Sequence, residues 1–262
     1  MRLIGRVVVG LLCLAAFAAA IYGSGMAVRW LESRQLLDRR PDQPVSIASL
    51  GRYTRQVAGK AWFGSYFGTM VFPSRKDPGP RPTPVVAKWE RSRVAVDTLN
   101  DGGPGVEAYL RRLVARLDRL QHEVRFVVSS RSPLITIRFL SHAAYARVGG
   151  SNTVGSTQTD YYTTSPGLIS ARIFIDAGVQ DTPGEVQSTL IHELTHAIGC
   201  SGHFYSPADS GRSVMFNANR LTDWSQNDAA VIRLLYSPWI RSGMSPARAR
   251  AAIALFAAGR GP

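Results

Sequence analysis

Residues 185 to 203 read EVQSTLIHELTHAIGCSGH. His192 and His196 stand four apart, so on a helix they project from one face about 6 Å apart along the axis. Both imidazoles can then reach a single zinc ion at about 2.0–2.1 Å. Glu193 follows the first histidine and would stand beside a zinc-bound water as its general base. With five His and six Glu in the chain, chance supplies H-E-x-x-H only roughly 0.002 times. The pattern therefore reads as a site, not as two histidines on an ordinary helix. Leu190, Ile191, Leu194, Ala197 and Ile198 give that helix the apolar surface needed to bury it.

Gly199 lies where the helix should end, because glycine supplies the left-handed C-cap. A turn there lets a third ligand swing back: His203 is the candidate, with Asp209 in reserve. Gly202 is expected to absorb the unusual dihedrals of that turn. The run resembles the signature of the metzincin zinc proteases, H-E-x-x-H-x-x-G-x-x-H with a later Met-turn. Here the eleventh position is Gly202, and the histidine arrives one residue later. Downstream, SVMF (213–216) looks like a Met-turn carrying Met215. LTDWSQNDAAVIRLLYS (221–237) resembles the final helix of matrixins, and Ser225 and Asp228 form a capping-box-like pair on local grounds alone. Asn217 stands two residues after Met215, so the tyrosine ligand of astacins and serralysins is not expected.

Over residues 57 to 250, FGSYFG, KWERSRVAV, SVMFN and LLYSPWIRSGMSPARAR are similar to an uncharacterised bacterial family of predicted metzincin-like zinc proteases. These resemblances imply an α+β, metzincin-like zincin domain with a mixed, mostly parallel sheet packed on helices. They imply one catalytic Zn2+ on His192, His196 and His203, with Glu193 as general base and Met215 beneath the metal. The activity implied is that of an endopeptidase on a polypeptide substrate.

Several elements must hold these residues. VVAKWERSRVAVDTL (85–99) predicts one strand or a hairpin, broken by Gly102, Gly103 and Pro104. VEAYLRRLVARLDRLQHEV (106–124) follows as an amphipathic helix, with Leu110, Leu113, Leu117, Leu120 and Val124 on one face. Arg112, Arg116 and Arg119 on the other side read as a solvated face. LITIRFL (134–140) and SARIFID (170–176) alternate as strands, and the second is a candidate edge for pairing with an extended peptide. Between them, GGSNTVGSTQTDYYTTSPG is so rich in Gly, Ser and Thr that it predicts a long surface loop. Its single carboxylate, Asp160, argues against calcium. Upstream, one helix is expected around Ile47 to Ala61. PSRKDPGPRPTP (73–84), with five prolines in twelve positions, predicts an extended linker. The order strand, helix, strand, loop, strand, helix is a mixed α/β layer arrangement.

At 262 residues and 45% hydrophobic, the chain is long enough for one domain and an appendage, and too apolar for wholesale disorder. Cys13 and Cys200 exclude a disulfide framework and a zinc site built mainly from thiolates. No cysteine lies between the N-terminal segment and Cys200, so a cysteine switch from an N-terminal pro-region is excluded, and Cys200 itself reads as a small buried residue. The net charge of +13 invites a nucleic-acid or anionic-membrane reading, but the arginines spread along the whole chain and no nucleic-acid partner is expected. His122 and His142 are isolated in sequence and read as structural. Arg2 and Arg6 precede an uncharged run from Val7 to Val28, the pattern of a signal peptide or membrane anchor. The expected organisation is a signal or anchor over 1–30, a juxtamembrane helix and Pro-rich linker over 31–84, and a zinc protease domain over 85–262. That arrangement places the domain outside the cytoplasm, in periplasmic or secreted form. The rival reading is a catalytically inactive, zinc-stabilised binding protein of the cell envelope, which a site closed by four protein ligands would favour.

Overall fold

Alternating β-branched residues in LITIRFL and SARIFID build two parallel strands at the centre of a five-stranded sheet. The computed structural model describes residues 46–73, 84–149, 153–162 and 165–261. The run from Val7 to Val28 and most of the proline-rich stretch lie outside them. The strands are β1 (Arg93–Thr98), β2 (Arg125–Val128), β3 (Ile135–Leu140), β4 (Gly155–Tyr161) and β5 (Leu168–Asp176), in the spatial order β2-β1-β3-β5-β4. All neighbours pair in parallel except β4, which runs antiparallel to β5 at the edge. Around the sheet lie α1 (Ile47–Ala58), α2 (Ala61–Val71), α3 (Val106–Leu120), α4 (His142–Tyr145), α5 (Pro183–Ala197), α6 (Gln226–Leu235) and α7 (Pro246–Ala257). The fold is α+β with a mostly parallel sheet packed on helices, as expected.

Strand side chains of one face enter the core. Ile135, Ile137, Ile173 and Ile175 are fully buried, while Arg138 and Arg172 on the opposite face are exposed. Against the inner face pack Leu110, Leu113 and Leu117 of α3 and Leu190 and Leu194 of α5. Arg112 and Arg119 of α3 are exposed as expected, whereas Arg116 is not on a solvated face: its side chain is 18% exposed and lies 2.7 Å from Asp223.

Four expectations need correction. The Gly/Ser/Thr-rich stretch is not all loop, because it contains β4. SARIFID is consequently not the edge of the sheet: β5 lies between β3 and β4, and β4 is the edge. The helix expected over 47–61 is present as α1 but ends at Ala58, and a second helix that was not expected, α2, follows it, with Gly59 capping α1 and Lys60 starting α2 with extended backbone. The helix expected to reach Val124 stops at Leu120. The Gln121 side-chain oxygen accepts the N–H groups of Glu123 (2.9 Å) and Val124 (3.0 Å), diverting the backbone into a turn that launches β2.

The described residues all fall in one unit, Pro44–Pro262, so α1 and α2 share the core of the zinc-motif region. Leu50, Phe63, Phe67 and Met70 are each at most 1% exposed. Removing such side chains costs about 2–5 kcal/mol apiece, which together matches a whole domain's stability of about 5–15 kcal/mol. A chain starting at Pro44 should therefore unfold cooperatively in urea, and one starting at Val85 should not. A cooperative transition from the shorter chain would show that the two helices are dispensable.

Candidate metal centre

The helix that carries H-E-x-x-H is fixed at both ends. At its start, Thr182 Oγ1 accepts the N–H of Glu185 while Glu185 Oε2 accepts the N–H of Thr182 (3.0 Å), a capping box reinforced by Pro183 in the first turn. At its end, the N–H of Cys200 donates to the Thr195 carbonyl and that of Gly199 to the His196 carbonyl, the two bonds of a Schellman motif. Gly199 takes φ +104 there, and any side chain on it would strike the Ala87 carbonyl. Carbonyls left open by the helix end receive Trp89 Nε1–H (Ala197, 2.9 Å) and the Tyr236 hydroxyl (Ile198, 2.9 Å).

From this helix His192 and His196 meet His203. Their Nε2 atoms lie 3.2 Å apart (His192–His196), 3.2 Å (His192–His203) and 3.0 Å (His196–His203). His192 Nδ1 contacts the Val214 carbonyl at 2.6 Å and His196 Nδ1 the Cys200 carbonyl at 2.7 Å. A carbonyl only accepts, so both Nδ1 atoms carry hydrogen, and both neutral rings aim an Nε2 lone pair at the same point. Burial pushes His192 down to about 4, helped by the charge of His203 and opposed by the Val214 carbonyl. Burial also drives His196 well below its ordinary range, with His192 and His203 adding to the effect and the Cys200 carbonyl opposing it.

Converging lone pairs of neutral imidazoles fit a cation. A tetrahedral zinc at about 2.0–2.1 Å from each ligand would hold the nitrogens about 3.3–3.4 Å apart, close to the spacing found. Among the described residues these three histidines form the single group of His, Cys, Asp or Glu able to share an ion. Asp209, the reserve ligand, is not among them; it sits in a short turn at Pro207–Asp209.

His203 returns to the helix because the turn before it is pinned to α2. The N–H of Ser201 donates to the Val71 carbonyl (3.3 Å) and that of Gly202 to the Met70 carbonyl (3.0 Å). Gly202 is needed for this approach, not for its dihedrals: its φ is not positive, and a Cβ would collide with the carbonyls of Thr69 and Phe72. Beyond His203, Phe204 pairs with the segment around Met215, its N–H donating to the Met215 carbonyl at 2.9 Å and its carbonyl accepting from Asn217 at 3.1 Å. Met215 and Cys200 are fully buried. The expected capping box of Ser225 and Asp228 is present at the start of α6.

Glu193 is 5% exposed, and its Oε2 accepts from the Thr157 hydroxyl at 2.6 Å. Thr157 lies on β4, as does Gly155, where any Cβ would press on the Glu193 carboxylate. The edge strand therefore covers the glutamate and walls a cleft of about 1020 Å³ that contains the three histidines. Among the described residues no Lys or Arg lines this cleft, despite the chain's strongly basic composition. His142, read from sequence as merely structural, lines it too. Its Nδ1 lies 2.6 Å from Oδ2 of Asp176, which is 1% exposed. Tyr205 lines the same cleft, its ring 5.9 Å from that of His203. Thr157, Gly155, Asp176 and Tyr205 were not singled out by sequence. For Thr157 a signal exists: Thr157, Thr159 and Tyr161 alternate with Gln158 and Asp160 in strand fashion. Compared with known protein families and with curated proteins, the chain matches none.

Two outcomes follow from this geometry. His203→Ala should lower zinc affinity sharply while Asp209→Ala leaves it nearly intact, as measured by competition with a chromophoric chelator. The reverse pattern would mean a His-His-Asp site. The metal-free protein should also lose stability on acidification. His192 takes up a proton near 6.5 when unfolded but only near 4 when folded, so stability present above 6.5 is lost as pH falls through about 4. Urea midpoints in chelator at neutral pH and near pH 4 read this directly, and zinc loading should raise the midpoint more at neutral pH than near pH 4, because only neutral imidazole binds the ion.

Proposed function

We propose that the chain is a zinc-dependent endopeptidase of metzincin type that acts outside the cytoplasm. The observation that carries this reading is the convergence of three Nε2 atoms within 3.2 Å of one another, in a cleft that also contains a buried carboxylate on the same helix. His192, His196 and His203 would hold the ion, and zinc there would supply Lewis-acid polarisation of a carbonyl and of a water. Glu193 would act as general base. With the Thr157 hydroxyl against its carboxylate, Glu193 would take the water's proton and deliver it to the leaving amine.

A polypeptide suits the wall of the cleft. The outer edge of β4 carries no partner strand among the described residues, and Ser156, Thr157 and Thr159 of that strand line the cavity. An extended substrate can add to such an edge through main-chain hydrogen bonds. The placement outside the cytoplasm rests on Arg2, Arg6 and the apolar run from Val7 to Val28. Among the described residues no helix is long and apolar enough to cross a membrane.

Glu193→Gln should retain one zinc per chain, since it changes no ligand, while peptide hydrolysis falls by on the order of 10²–10⁴-fold. Metal analysis together with digestion of an unbiased peptide library measures both. Undiminished turnover in the variant would remove Glu193 from its role. Zinc uptake with no hydrolysis by the wild type would favour the inactive binding protein.

A further inference from the structure

Helix α2 lies far upstream of the zinc motif, yet one of its side chains touches both arms of the metal centre. The Tyr66 hydroxyl donates to Asp228 Oδ1 at 2.7 Å. Asp228 is fully buried and also accepts from the Ser213 hydroxyl (2.7 Å) and the N–H groups of Val214 (3.0 Å) and Ser225 (3.2 Å). Val214 is the residue whose carbonyl orients His192. The same tyrosine places its ring 4.7 Å from that of Phe204, the residue that follows His203. At the C-terminal end of α2, the carbonyls of Met70 and Val71 receive the turn that brings His203 back.

We propose that Tyr66 is a positioning residue for the metal centre, setting His192 through Asp228 and Val214 and setting His203 through Phe204. The inference rests on the reading of the three histidines as a zinc site. Its physical basis is that ligand rings converge only when the backbone segments carrying them keep their spacing. On one side of Tyr66 lies the Met-turn region, and on the other the third-ligand strand. Without the hydroxyl, Asp228 keeps Ser213, Val214 and Ser225 but loses its tie to α2. The two arms then lose their shared anchor while every ligand remains. Groups that orient metal ligands typically change affinity 10- to 100-fold when removed. Tyr66 stands one bond further out and should act at about the lower end of that range.

The test is Zn2+ affinity of the full-length protein, by chelator competition, with the visible absorption of the Co2+ form as a reporter of ligand geometry. Tyr66→Phe keeps the ring against Phe204 and removes only the hydroxyl; it should bind Zn2+ about 10-fold more weakly and alter the Co2+ bands. Ser213→Ala interrupts the same relay from its other end and should act in the same direction, which keeps the test decisive if the first variant does not fold. Tyr53→Phe is the control. It removes a neighbouring hydroxyl that donates to Asn227 at 2.5 Å, outside the relay, and should leave affinity and spectrum unchanged. Wild-type affinity and spectrum in both Tyr66→Phe and Ser213→Ala would overturn the proposal, as would an equal loss in Tyr53→Phe. A wild-type protein that takes up no Zn2+ would overturn the metal reading itself, and this inference with it.

Discussion

Three imidazoles bring their Nε2 atoms to one point only if the backbone segments that carry them are held in place. That constraint organises much of this structure. His192 and His196 are held by main-chain carbonyls, from Val214 and Cys200, so their orientation is set by the path of the backbone. The path is in turn enforced by the Schellman turn at Gly199, by Trp89 and Tyr236 on the open helix carbonyls, and by the pairing of Phe204 with Phe216. Hydrogen-bonded carbonyls behind metal-binding imidazoles also fix the tautomer, which a bare pair of histidines would leave to chance.

The sheet contributes differently. Its parallel strands form a base for α5, while its antiparallel edge strand reaches the candidate site directly, through Thr157 on Glu193. The Thr157 hydroxyl lies within reach of both the Glu193 carboxylate, at 2.6 Å, and the Glu193 main-chain carbonyl, at 3.0 Å. The cleft that results is lined by hydroxyl, amide, imidazole and carboxylate groups, and among the described residues it lacks the cationic side chains abundant elsewhere on the chain. The basic composition is therefore a property of the remaining surface, and the electrostatics of the cleft are set locally.

How much of this was legible follows from whether the relevant force is local in sequence. Two histidines four apart, the capping pair Ser225 and Asp228, and the glycine that ends α5 are all set by neighbours within one helical turn, and the sequence reading located each. The return of His203 to the helix was legible as a need and misread in its cause, because the groups that crowd Gly202 come from Thr69 and Phe72, more than a hundred positions upstream. β4 was missed because both its faces are polar, so composition favoured a loop where alternation of Thr157, Thr159 and Tyr161 was the informative signal. β2 was missed because Gln121 ends α3 with its own side chain, a local competition that apolar periodicity does not register. The depth to which α1 and α2 enter the core is a tertiary fact with no local marker.

Gly155 shows where such reading reaches its limit. The strand and the glutamate share a volume that admits no methyl group, so an alanine at 155 would force either the carboxylate or the sheet edge to move. A single-nucleotide change could introduce it. A descendant of this protein could thus lose the geometry of its cleft while its histidines, its glutamate and Met215 remained letter-perfect. The identity of one edge-strand residue would then separate an intact cleft from a distorted one, and no inspection of the motif would reveal the difference.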